Sequence, residues 1–110
     1  MKTIAFHAKA LEFILEQEAE IRREIGEALR DLQKGVSLGL PLSRPLPVVA
    51  SGVHELRVQG GRTSVRVLYV AKLADRIVVF HGFQKKTQKM PAHEIAIGQQ
   101  RLREVLHEQG

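Results

Sequence analysis

"GVHELRVQGGRTSVRVLYV", residues 52–70, decides how this chain folds. Val53 to Val58 and Thr63 to Val70 each alternate apolar with polar residues, and a pair of glycines separates the two runs. Alternation with a period of two sends apolar side chains to one face of a strand and polar ones to the other. Adjacent glycines supply the positive φ that a two-residue hairpin turn demands. The stretch therefore reads as an antiparallel hairpin with Gly60 and Gly61 at its tip. On that pairing Leu56 faces Val65 and Val58 faces Thr63, building a core side, to which His54 also points. The other side pairs Glu55 with Arg66 and Arg57 with Ser64, leaving Arg57 and Arg66 as diagonal neighbours.

Working outward, "RIVVFHGF" (76–83) is apolar on both faces and reads as a third, central strand. Upstream, Ile21, Ile25, Ala28, Leu29 and Leu32 recur at helical spacing, and Gly35 follows where a left-handed helix end wants glycine. Leu11, Ile14 and Leu15 mark an earlier helix, and "KTIAFH" (2–7) reads as a short edge strand. "LGLPLSRPLP" (38–47), with three prolines, reads as an extended connector. From Pro91 to His107 the pattern is helical again, with Ile95, Leu102, Val105 and Leu106 on one side. The expected fold is α+β, one domain over residues 1–110: an N-terminal helical pair packed on a small twisted antiparallel sheet, then a C-terminal helix.

Composition narrows the function. The chain has no cysteine, so disulfides, thiolate nucleophiles and cysteine-based zinc sites are excluded. No apolar run approaches the roughly 20 residues of a membrane span, and the N-terminal stretch does not read as a signal peptide, so no membrane association and a cytoplasmic location are expected. His7, His93 and His107 show no metal-ligand spacing, and Tyr69 alternates with Val65 and Val67 as a core residue would. The net charge is +5, but residues 57–91 hold eight Lys or Arg against Asp75 alone, whereas the flanking segments are each slightly acidic. Such concentration is the footprint of a nucleic-acid binder. "HGFQKKTQKMP" (81–91) carries much of it where the third strand empties into a loop. Lys85, Lys86 and Lys89 with Arg57 and Arg66 would line a groove for phosphates, and Phe83 would offer a face for base stacking.

"GVHELRV", "VRVLYV" and "VVFHGFQKKTQKMP", preceded by "IGEALRDLQKG", resemble the RelE/ParE toxin superfamily, in its HigB-like, phage-derived branch. The resemblance runs from about Ile21 to Arg101. It implies a type II toxin: a ribosome-dependent mRNA endonuclease, restrained by a HigA-like antitoxin with a helix-turn-helix domain. It also implies which residues act. Arg57 of Glu-Leu-Arg, Arg66 of Arg-x-Leu-Tyr, and Lys85 and Lys86 of Lys-Lys-Thr would be catalytic, and Phe83 and Thr87 of that last motif would contact RNA. Independently of the resemblance, His81 beside the basic loop is a catalytic candidate because an imidazole titrates at about pH 6.5, and Lys89, Arg62 and Glu55 are expected RNA contacts. Met90 departs from the small hydroxyl residue that relatives tend to place before the proline. The expected chemistry uses no metal or cofactor: 2′-OH attack on phosphorus, with the arginines as phosphate clamps and a lysine or histidine moving the proton. Two other classes fit parts of the pattern, a ParE-like poison of DNA gyrase and a non-catalytic basic nucleic-acid-binding module.

Overall fold

A computed structural model describes residues 1–109 as β1 (Thr3–Phe6), α1 (Ala8–Leu15), α2 (Ala19–Gln33), β2 (Ser43–Pro45), β3 (Val53–Gly60), β4 (Thr63–Val70), β5 (Arg76–Gln84) and α3 (Ala92–Gln109). The α+β reading holds. The strands form one sheet in the order β1-β5-β4-β3-β2, antiparallel except that β1 runs parallel to β5. The connector contributes a strand that its prolines concealed. β2 spans only three residues and lies on the sheet edge, where a proline removes no ladder bond that matters.

Helix α2 forms because its apolar stripe has somewhere to go. Ile21, Ile25, Ala28, Leu29 and Leu32 are all buried, against a sheet face made by Leu56, Val58, Val65, Val67, Tyr69, Ile77 and Val79. Gly35, at φ 88°, ends the helix: its N–H bonds the Leu32 carbonyl and that of Val36 bonds Asp31, a Schellman closure. His7 caps α1, its Nδ1 accepting the Lys9 N–H at 3.1 Å. Helix α3 covers the second face, packing Leu102 and Val105 on Val53, Leu68, Val70, Val78 and Phe80. Helices therefore flank the sheet on both sides. No helix among the described residues is long and apolar enough to cross a membrane.

The hairpin departs from expectation in one respect. Gly60 pairs with Thr63, so the turn residues are Gly61 and Arg62 rather than Gly60 and Gly61. Gly61 has φ 58° and Arg62 a negative φ, the sign pattern of a II′ turn. Gly60 is glycine for another reason: a Cβ there would lie 2.8 Å from Cγ1 of Ile21. Moving the turn by one residue shifts every partner by two, so each side chain keeps its face. Leu56 faces Val67 and Val58 faces Val65, while Arg57 stands directly opposite Arg66 and Glu55 opposite Leu68.

A second irregularity lies between β4 and β5. Leu68 pairs with His81 and Tyr69 with Val79, leaving Phe80 as the extra residue of a bulge. Phe80 packs in the core beneath α3, and His81 beside it bonds α3 residues, so two consecutive side chains point to one face. That re-aiming sets the end of β5 from which the basic loop departs.

Candidate functional site

The polar face of β3 and β4 continues past the end of α3 as a concavity of about 470 Å³ lined by Arg44, Arg57, Arg66, Lys85, Lys86, Thr87 and Gln88. Arg57 and Arg66 arrive there through direct cross-strand pairing. Like charges so placed repel, and the neighbouring row supplies the counter-charge. Glu55 is fully buried, and its Oε1 accepts a hydrogen bond from Arg44 Nε at 2.9 Å. Arg66 Nε and Arg57 Nε lie 3.8 and 4.0 Å from the same oxygen. One carboxylate thus faces three guanidinium groups. Glu55 Oε2, Arg57 Nε and Arg66 Nε are buried without a hydrogen-bond partner, which leaves polar capacity unspent.

Arg66 is held from its other side. Its Nη1 donates to Ser64 Oγ at 2.9 Å and to the Val65 carbonyl at 3.2 Å. Burial lowers its pKa from the ordinary value, with Arg57 and Arg44 adding to the effect and Glu55 opposing it. Lys85 begins the loop, anchored by its N–H to the Ser64 carbonyl at 2.8 Å. Its ammonium is also destabilised, first by burial and then by Arg66, with Arg44 and Arg57 contributing and Glu55 opposing, so its pKa falls below the ordinary lysine value. Thr87 Oγ1 donates to the Lys89 carbonyl at 2.8 Å, tightening the loop beyond.

Of the residues expected from sequence, Arg57, Arg66, Lys85, Lys86 and Thr87 meet in this concavity, with Glu55 as its floor. Arg62 sits exposed at the hairpin tip, and Lys89 is exposed farther along the loop, neither lining it. Phe83 is a correction. Only 5% exposed, it belongs to the core beneath α3, and its ring stacks on His81 with centroids 5.2 Å apart, so it presents no open face for a base. His81, 3% exposed, is enclosed as well. Arg101 Nη1 donates to its Nδ1 at 2.9 Å, which requires Nε2 to carry the proton and donate to Glu94 Oε1, 2.7 Å away. Burial holds the His81 pKa below its ordinary value; the Glu94 hydrogen bond pulls it up and Arg101 pushes it down. Both ring nitrogens are therefore occupied in tying β5 to α3.

His54 lies on the opposite sheet face, stacked on Tyr69 with centroids 5.7 Å apart, as its register with Leu56 implied. Tyr69 is buried and its Oη bonds Ser43 Oγ at 2.6 Å. The residue that sequence reading missed is Arg44. It stands inside the proline-rich connector, and only its pairing opposite Glu55 brings it to the site. No local pattern carries that relation.

A model of phage-derived Gp49-like proteins (DUF891) matches residues 12–103, which include every residue lining the concavity. The chain belongs to this family, a RelE/HigB-like toxin family. Comparison with curated proteins finds no match.

Proposed function

With that family membership as premise, we propose that the chain is the toxin of a toxin–antitoxin pair and a HigB-like endonuclease that cuts mRNA on the ribosome. The observation that carries the reading is the convergence of Arg44, Arg57 and Arg66 on one buried carboxylate in a concavity that Lys85 and Lys86 also line. One carboxylate leaves this group of cations with net positive charge, and a phosphodiester strand supplies further negative charge. Arg57 and Arg66 hold the phosphate oxygens and stabilise the pentavalent phosphate, in which negative charge grows.

The reaction needs one proton taken and one given. Lys85, whose ammonium is destabilised by burial and by Arg66, takes the proton from the 2′-OH as its oxygen bonds to phosphorus. The P–O5′ bond breaks, and Lys86 or the protonated Lys85 returns a proton to the leaving oxygen. The products are a 2′,3′-cyclic phosphate and a 5′-hydroxyl end. His81, with both nitrogens engaged, supports the strand that delivers Lys85. A helix-turn-helix antitoxin binds the toxin and closes this concavity, and the ribosome presents the mRNA in the cytoplasm.

The test is a purified ribosomal complex carrying mRNA, incubated with the chain and with its Arg66→Ala variant. Cleavage by the parent, with a cyclic phosphate on the upstream fragment and at least a hundredfold slower cutting by the variant, supports the assignment. Intact mRNA alongside inhibited DNA gyrase assigns the chain to the gyrase-poison class instead. Tight RNA binding without cleavage leaves a binding module.

A further inference from the structure

We infer that Arg44 is a third phosphate-contacting arginine, on the opposite wall of the concavity from Lys85, so that the site engages at least two consecutive phosphates of a single RNA strand. The inference rests on the reading of this concavity as an RNA site. Three observations carry it. First, Nε alone of the Arg44 guanidinium is committed to Glu55, while 42% of the side chain remains exposed at the mouth. Its two Nη groups are thus free to bond oxygens in a bidentate manner.

Second, Arg44 is held in place by its strand. The Arg57 N–H bonds the Leu42 carbonyl at 2.7 Å, and the Leu46 N–H bonds that of Val53 at 2.8 Å, so backbone bonds pin the chain on either side of it. Ser43 next to it is buried, with its hydroxyl on Tyr69 on the far face, which turns Arg44 toward the concavity. An arginine this constrained loses little freedom on meeting a ligand.

Third, the walls are far apart. Lys85 leaves β5 and Arg44 lies on β2, three steps away in the sheet. At about 4.8 Å per step the backbones are about 14 Å apart, wider than one phosphate group. Arg66 stands between them. A strand laid across would put the phosphate to be cut near Arg66 and Lys85, and the adjacent one near Arg44. Arg44 then contributes to holding substrate more than to the chemical step.

The experiment measures binding of the full-length chain to a single-stranded 2′-O-methyl RNA of eight nucleotides, which lacks the attacking hydroxyl, over a series of NaCl concentrations. Parent, Arg44→Ala and Arg44→Lys are compared, and their melting curves report that each is folded. For single strands the slope of log K against log salt changes by about 0.7 per phosphate contact. Arg44→Ala is expected to flatten the slope by that amount, and Arg44→Lys to keep it. A dinucleotide with one phosphate is expected to bind parent and Arg44→Ala alike. An unchanged slope in Arg44→Ala, or an equal loss toward the dinucleotide, overturns the role of Arg44 while the RNA site stands. No binding by the parent at low salt overturns the RNA reading itself and this inference with it.

Discussion

Replacing Glu55 by glutamine deletes the one negative charge beneath three guanidinium groups while preserving shape. Two unit charges about 4 Å apart interact by about 4 kcal/mol at an effective dielectric near 20. Arg66 and Arg57 sit at 3.8 and 4.0 Å from Glu55 Oε1. Arg44 is nearer, at 2.9 Å, but with 42% of its side chain exposed the gain is screened by water. Removing one partner of a buried ion pair costs about 3–5 kcal/mol, and the exposure of Arg44 and Arg57 places this case near 3 kcal/mol. With an unfolding entropy of about 230 cal/mol/K for a chain of this length, Glu55→Gln should lower Tm by about 13 °C. Calorimetry at low salt, repeated with sulfate at constant ionic strength, measures it. Because sulfate supplies the missing negative charge, it should raise the variant's Tm more than the parent's. A variant melting within about 2 °C of the parent, with no larger response to sulfate, would refute the view that Glu55 holds the arginines together.

Further expectations follow from individual residues. Lys85→Ala with Lys86→Ala should abolish cleavage while moving Tm little, because both side chains lie in a loop outside either core; full toxicity of a well-expressed double variant contradicts the site. Gly60→Ala should destabilise by about 1–3 kcal/mol through overpacking against Ile21, and Gly61→Ala by about 1–3 kcal/mol through backbone strain, because the first central position of a II′ turn takes glycine. A Gly61→Ala variant as stable as the parent in urea titrations would place the turn elsewhere. His81 gives a pH signature. Its folded pKa lies below the ordinary 6.5, so the unfolded chain takes up the proton first as pH falls. The stability it contributes is present above about pH 6.5 and lost below it, by at most about 1.4 kcal/mol per pH unit. The urea midpoint should drop between pH 7 and 5.5 in the parent and drop less in His81→Gln; equal drops would show that His81 is not the group responsible.

How much of this was legible beforehand depended on whether the deciding relation was local. The stripe Ile21-Ile25-Ala28-Leu29-Leu32 lies within one helix and the alternations Leu56-Val58 and Val65-Val67 each within one strand, so the buried faces are legible from local spacing. Two adjacent glycines look alike in a sequence, so alternation alone puts the turn at Gly60-Gly61 rather than Gly61-Arg62; that Gly60 pairs with Thr63 and sits against Ile21 is a relation to other elements. The faces survived because partners shifted by two. Phe83 looked available because it precedes a basic loop, but its surroundings are set by α3 and by the bulge at Phe80, neither visible from period-two counting. Arg44 was hidden by its proline neighbours. Its place in the site exists only through a pairing between residues 44 and 55.

If this basic concavity cuts mRNA during translation, as proposed, primer extension on cellular mRNAs after brief expression of the chain without any antitoxin will show it. New 5′ ends inside translated regions are predicted, absent when ribosome loading is blocked and absent with Lys85→Ala and Lys86→Ala. Growth arrest with every message intact would contradict it.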